Sequence, residues 1–147
     1  MKQYKHPESV LIVIYSRSSQ RVLMLQRNDD PNFWQSVTGS LEKGESVQQT
    51  ALREVMEETG IDILAEGLAL QDCQRSVEFE IFAHYRHRYS PGTTHNLEHW
   101  FCLALPDERN IILTEHQAYQ WLDASQAAQL TKSWSNRQAI EEFVTSH

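Results

Sequence analysis

Runs and alternations of apolar residues divide the chain into extended and helical stretches. Ser9 to Tyr15 (SVLIVIY) is apolar throughout and rich in β-branched residues, the pattern of a strand covered on both faces. A polar turn, SRSSQ, and a second apolar run from Val22 to Gln26 complete an expected hairpin. After the turn-rich NDDPN, the segment FWQSVTGSLEKGE reads as short extended pieces broken at Gly39 and Gly44. The period then changes. Val47, Ala51, Leu52 and Val55 fall on one helical face, Ser46 and Gln49 form a capping-box pair, and Gly60 stands where a left-handed residue ends a helix, so the spacing predicts a helix over 46–59. Further on, Leu68 to Gln71, Val77 to Ala83 and Trp100 to Leu105 are expected strands. Asp123 to Leu130 and Asn136 to Val144 are expected helices, the last with a second capping pair in Ser135 and Gln138. Strands interleaved with a few helices in mixed order predict an α/β or α+β sandwich.

A length of 147 residues fits one domain spanning 1–147, with enough apolar residues for a core that needs neither disulfide nor structural metal. No stretch approaches the roughly 20 apolar residues of a membrane span, and MKQYKHPESV lacks the apolar centre of a secretion signal, so no membrane partner and a cytoplasmic location are expected. Cys73 and Cys102, far apart in the chain and in strand-like surroundings, are expected to be reduced thiols. A formal net charge of −7 argues against a nucleic-acid polymer as partner, because such binders carry a broad excess of Lys and Arg. A small anionic substrate remains compatible if bound divalent cations supply the positive charge.

The acids of the predicted helix suggest where those cations sit. Glu54, Glu57 and Glu58 lie three and four residues apart and project from about one face. Crowded like charges weaken a helix by a few tenths of a kcal/mol per pair, and a hard divalent ion with oxygen ligands, Mg²⁺ or Mn²⁺, would relieve them. Acids at this spacing, taken alone, more often mark a solvated helix face. The loop in front of the helix separates the two readings. Gly39-x5-Glu45-x7-Arg53-Glu54-Val55-x-Glu57-Glu58-x-Gly60-Ile61 matches the signature of the Nudix hydrolases at every fixed position, with the box at 39–61. This resemblance implies a Nudix α/β/α sandwich with a mixed central sheet and a catalytic loop and helix. It also implies Mg²⁺-dependent hydrolysis of a phosphoanhydride, with Mn²⁺ as substitute. On the matching positions it implies Glu54, Glu57 and Glu58 as metal ligands that include the water-activating acid, Arg53 as the residue that orients Glu54, and loop oxygen near Gly39 as part of the metal shell. Some family members recruit an acid from a later loop, and Glu115 in TEHQAYQW is the candidate here.

The fold is a scaffold on which surrounding loops choose the substrate. Outside the box, RVLMLQR, DPNFWQSVTGS, DCQRSVEFEIFAHYRHRY, NLEHWFCLALP, TEHQAYQWLDA and LTKSWSNRQAIEEFV are similar to a bacterial branch of the family that acts on a pterin triphosphate. That resemblance implies release of pyrophosphate from a pterin triphosphate early in folate synthesis, with dATP and other nucleoside triphosphates as secondary substrates. It also implies Lys5, Arg27, Thr38 and Ser133 as substrate contacts and a strand from Phe79 through Glu80 and Ile81 to Phe82 along the ring pocket. The chemistry agrees: Lys5 and Arg27 suit phosphates, the hydroxyls suit polar edges, and phenylalanines stack on a flat ring. Trp34 and Trp134 are expected to border the pocket, Arg86-His87-Arg88 to form a solvated strand edge, and the pairs His84/His87 and His95/His99 to hold no zinc, since no cysteine cluster accompanies them. A monomer or weak homodimer is expected. The competing readings are a house-cleaning nucleoside triphosphatase of other specificity and a Nudix module that senses a nucleotide without cutting it. Intact acids speak against the second.

Overall fold

The computed structural model describes residues 4–114 and 116–144. Its elements are strands β1 (Glu8–Ser16), β2 (Arg21–Arg27), β3 (Trp34–Gln35) and β4 (Val37–Ser40), helix α1 (Val47–Thr59), strand β5 (Leu70–Glu80), a 3-10 helix (Ala83–Arg88), strands β6 (His95–Leu105) and β7 (His116–Asp123), and helices α2 (Ala124–Leu130) and α3 (Trp134–Phe143). The sheet is mixed: β1 runs parallel to β6 along its whole length, and the other pairings are antiparallel.

One irregularity in the sheet makes room for a site. β1 and β2 meet only at Tyr15 and Val22 and then diverge. β7 covers one edge of β2 from Arg21 to Arg27 and β6 covers one edge of β1, so β3 and β4 must share the facing edges. They do so as one extended stretch that pairs with β2 through Trp34 and Gln35, then with β1 through Val37 to Ser40. At the crossover, the buried Ser36 has no strand partner for its N–H, and the side chain of Asn136 on α3 supplies one. Asn136 Oδ1 accepts from Ser36 N at 2.8 Å, and Nδ2 donates to Ser36 Oγ at 3.0 Å.

Alternation along the central strands sorts the core into two layers. Val10, Ile12 and Ile14 of β1, with Leu23, Leu25, Phe101 and Leu103, pack beneath Ala51 and Val55 of α1. Leu11, Val13, Val22, Met24, Trp100 and Cys102 pack on the opposite face beneath Ala127 and Ala128 of α2 and Ala139 and Ile140 of α3. This is the expected α/β/α sandwich, and it explains why SVLIVIY is apolar without alternation.

Several elements depart from the sequence reading. The two short strands expected at 68–71 and 77–83 are one edge strand, β5. Its apolar pattern is broken because Gln74 adopts φ 52° and the register with β6 slips between Asp72 and Arg75, a bulge. Arg86-His87-Arg88 lies in the 3-10 helix instead of on a strand. Strand β7 pairs with β2 and packs Tyr119 and Trp121 on one core layer and Leu122 on the other, but its sequence HQAYQWLD lacks a regular alternation, so the apolar pattern gave no sign of it. Helix α3 starts at Trp134, and its cap is Ser133, whose hydroxyl accepts from Asn136 N at 3.1 Å. Ser135, expected in that role, is buried. Cys73 and Cys102, distant in sequence, are free thiols with sulfurs 3.3 Å apart. Trp34 packs into the core beneath the α2 and α3 layer and away from the pocket. No helix among the described residues is long and apolar enough to cross a membrane.

Candidate active site

Helix α1 is fixed at both ends by its own residues. The capping box is formed, with Gln49 N donating to Ser46 Oγ at 3.1 Å and Ser46 N donating to Gln49 Oε1 at 2.9 Å, and Gly60 ends the helix at φ 79°. Arg53 binds the helix to the loop before it. Its Nε and Nη2 engage the two oxygens of Glu45 at 2.7 and 2.8 Å, Nη2 reaches Ser40 O at 3.2 Å, and Nη1 donates to Glu54 Oε1 at 2.7 Å. Such a bidentate pair is strong and directional, and the Arg53 guanidinium holds the Glu45 carboxyl down at about 2. Arg53 thus ties the Glu54 carboxyl to the loop through Glu45.

The three acids are not equivalent. Glu54 and Glu58 are buried, and their carboxyl groups are within hydrogen-bond reach of each other. Burial, with repulsion from Glu57, lifts the Glu54 carboxyl above the usual carboxylate range, although Arg53 opposes this. Glu57 lies further out; its side chain is 48% exposed and its Oε2 is 3.3 Å from Arg53 Nη1. Gly39 on β4 passes so close to α1 that a Cβ there would overlap the carboxyl group of Glu54. The chain after β6 wraps the end of the helix: Ile112 N donates to Thr59 O, Thr114 Oγ1 donates to Glu57 O, and His116 Nε2 stands 3.4 Å from Glu58 Oε1. Glu115, between the last two, lies outside the described residues. Among the described residues, no three His, Cys, Asp or Glu side chains are already gathered around one point. The buried oxygens of Glu54 and Glu58 nevertheless form a hard donor set suited to Mg²⁺ or Mn²⁺ and unsuited to a thiolate-preferring metal.

Next to the acids lies a cationic trough. Lys5, Arg27, Asp29, Gln35, Thr38, Gly39, Glu58, Arg88 and His116 line one cleft. Asp29 accepts from Arg27 at 2.7 Å through both oxygens and from Arg88 at 2.6 Å, and these arginines, the first foremost, hold its carboxyl far below the usual range. Both guanidinium groups sit over the Tyr85 ring, 4.7 and 5.0 Å from its centroid. The backbone of Lys5 donates to Arg88 O at 2.8 Å. Its ammonium holds its proton less firmly than usual, first through burial and then through repulsion from Arg88 and Arg27. Arg88, expected as a solvated edge, is therefore part of the site. Arg27 also donates to Gln35 Oε1, and Gln35 donates to Thr38 Oγ1, each at 3.3 Å.

Past the trough a second pocket opens between β5, the stretch formed by β3 and β4, and the start of α3. Every proposed substrate contact lines it: Lys5, Arg27, Thr38, Phe79, Glu80, Ile81, Phe82 and Ser133. Only Phe79 and Glu80 lie on the strand; Phe82 is the residue just before the 3-10 helix, and the Glu80 carboxylate turns outward to Arg86 at 2.6 Å. Ser133 Oγ is engaged as the α3 cap. Trp134 borders the pocket as expected. Phe33, Tyr85, Glu98 and Asn136 are also part of the lining and were not foreseen. For Glu98 a signal existed, since counting back by twos from the core residues Cys102 and Trp100 places it on the same buried face.

Burial pushes the Glu98 carboxyl up to about 6, although Ser135 and Trp100 donate to it. A carboxyl raised from 4.5 in this way binds more protons folded than unfolded. Its stabilising contribution is complete below 4.5 and is lost as pH rises through about 6. Glu98→Gln, which cannot titrate, is expected to match wild type at pH 4.5 and to be more stable at pH 8 by about 2 kcal/mol, on the order of 4–8 °C in Tm. Thermal unfolding of both proteins at the two pH values measures this, and equal melting at pH 8 would refute it.

The comparisons agree with this geometry. The NUDIX domain model matches residues 5–143. The dihydroneopterin triphosphate diphosphatase of Escherichia coli (strain K12) is 68% identical over 143 residues, covering 97% of this chain and 95% of that one. The Haemophilus influenzae protein of the same name is 49% identical over 98% of this chain and 91% of its own. The solved E. coli dihydroneopterin triphosphate pyrophosphohydrolase superposes with a TM-score of 0.97 at 67% identity, covering 99% of this chain and all of that one. A Caenorhabditis elegans Ap4A hydrolase complex, at 20% identity and a TM-score of 0.73 over 95% of this chain and 96% of that one, shares the fold alone. The chain belongs to the Nudix family, and within it to the pyrophosphohydrolases.

Proposed function

We propose that the chain removes pyrophosphate from 7,8-dihydroneopterin 3'-triphosphate, leaving the monophosphate, an early reaction of folate synthesis, and acts more slowly on dATP and other nucleoside triphosphates. The observation that carries this reading is continuity. The aromatic pocket, the cationic trough and the cleft along Glu45, Arg53 and Glu54 share Lys5, Thr38 and Gly39, so one extended molecule can place a flat ring in the first and its phosphates along the other two, with the α–β anhydride beside the acids. The names of the E. coli and H. influenzae relatives support it.

In this reading, Phe79 and Phe82 flank the ring, Glu80 and Ile81 close its edge, and Thr38 and Ser133 face its polar atoms. Lys5, Arg27 and Arg88 meet the phosphates, with Asp29 keeping the two guanidinium groups in place until the substrate arrives. Glu54 and Glu58, with Glu115 and loop oxygen at Gly39, would hold Mg²⁺, or Mn²⁺ in its place, and Glu57 would add negative charge at the outer edge. The ion neutralises phosphate oxygens and acidifies water when bound. A carboxylate of this set takes the proton from the attacking water, and Arg53 keeps Glu54 aimed. Hydrolysis of an anhydride among negative oxygens is chiefly a matter of positioning and charge neutralisation, and this arrangement provides both.

Incubating the enzyme with Mg²⁺ and the pterin triphosphate and following the products by phosphorus NMR tests the reading. Pyrophosphate and the monophosphate are expected. Orthophosphate with a diphosphate product, or no turnover while a nucleotide sugar is cleaved, would overturn it.

A further inference from the structure

None of the roles above uses Glu98. It stands on β6 between Ser9 of β1 and Val77 of β5, with its side chain on the α3 side of the sheet beside Trp100. The residue is only 4% exposed, yet it lines the ring pocket together with Ser9, Ser133, Trp134 and Asn136. Trp100 Nε1 donates to Glu98 Oε1 at 3.0 Å and the Ser135 hydroxyl also donates. Among the described residues, no Lys, Arg or His forms an ion pair with it. A carboxylate offers about four acceptor positions, so two neutral donors leave it undersatisfied. Burying a charge without a cation is costly, and the neutral donors of Trp100 and Ser135 do not require a charged acceptor. Burial lifts the carboxyl only to about 6, so it is ionised at neutral pH.

A ring that would complete this carboxylate must bring two adjacent N–H donors into the pocket in one plane. A 2-amino-4-oxopyrimidine edge does so, through its ring N–H and its amino group, and each hydrogen bond to the charged acceptor is of the stronger kind. Guanine carries the same edge. Adenine presents one amino group beside a ring nitrogen lone pair, which against a carboxylate gives one hydrogen bond and one repulsion. We infer that Glu98 is the specificity-determining residue of the ring pocket: its carboxylate accepts the paired N–H donors of a 2-amino-4-oxopyrimidine ring and so disfavours 6-aminopurines. The inference rests on the assignment of this pocket to the substrate's ring.

The test compares kcat/KM on dihydroneopterin triphosphate, GTP and dATP for wild type, Glu98→Gln and Glu98→Asp. Glutamine keeps an oxygen for Trp100 but places an N–H where the ring N–H must bind, and it matches adenine's donor and acceptor pair. In Glu98→Gln the ratio of pterin or GTP over dATP is expected to fall about 10²-fold, chiefly through KM. Glu98→Asp keeps the charge but withdraws it by one methylene, so it should lose on the first two substrates without gaining on dATP. Equal losses on all three substrates, or an unchanged ratio in Glu98→Gln, would overturn the inference. Wild-type failure on the pterin compound alone would overturn the proposed function, and the GTP to dATP ratio would still decide the role of Glu98.

Discussion

Glu58→Gln is expected to fold normally and to lose about 10³-fold in kcat with Mg²⁺. Glu58 is 3% exposed and faces Glu54 and His116, so a neutral residue of the same shape removes one of two buried charges without opening a cavity. Glutamine keeps a donor and an acceptor for Glu54 and His116, so the melting temperature of the metal-free protein should change little. The loss appears when the ion is added. Wild type should gain thermal stability with Mg²⁺ concentration by mass action, and Glu58→Gln should gain little or none. Glu57→Gln provides the contrast, because that side chain is half exposed and held by Arg53; its activity should fall much less. Steady-state kinetics and melting curves with and without Mg²⁺ decide the matter. Wild-type turnover in Glu58→Gln would remove this carboxylate from the metal site.

The difference between these two acids could not be read from the sequence. Helix α1 was legible because every signal for it is local: Ser46 and Gln49 lie three residues apart, the apolar stripe repeats each turn, and Gly60 follows directly. The same spacing places Glu54, Glu57 and Glu58 on one side of the helix. Which of them is buried depends on how close β4 approaches, and hence on Gly39, fifteen residues earlier. The substrate end was less legible for the same reason. Phe79 to Phe82 line the pocket, but the strand expected through them ends at Glu80, and both that end and the bulge at Gln74 arise from pairing with β6. Arg27 and Arg88, far apart in the chain, are brought together by Asp29 and Tyr85. Asn136 owes its role to the crossover of β3 and β4, where the N–H of Ser36 is left without a strand partner. Alternation with Trp100 and Cys102 puts Glu98 on the buried face, but the helix that covers it begins 36 residues later and no local signal joins the two.

Gly39→Ala separates activity from folding at the other side of the same carboxyl group. Gly39 does not need a left-handed conformation, since its φ lies outside the positive range, so alanine suits the backbone. The difficulty is the space beyond it, where the new methyl would overlap Cγ, Cδ and Oε1 of Glu54. These are the far end of a flexible side chain, which can rotate away at a cost at the low end of the 1–3 kcal/mol typical of overpacking. Rotation breaks the 2.7 Å hydrogen bond from Arg53 Nη1 and moves the carboxylate by about the methyl's width. A displacement near 1 Å in a catalytic group costs about 10²-fold in rate. The variant should therefore melt within a few degrees of wild type while kcat falls about 10²-fold, and Gly39→Ala with Glu54→Asp, which shortens the acid, should recover part of the lost rate relative to Glu54→Asp alone. Full activity in Gly39→Ala would mean that the position of Glu54 is not critical. A loss of folding equal to the loss of activity would mean that the close approach of β4 serves packing alone.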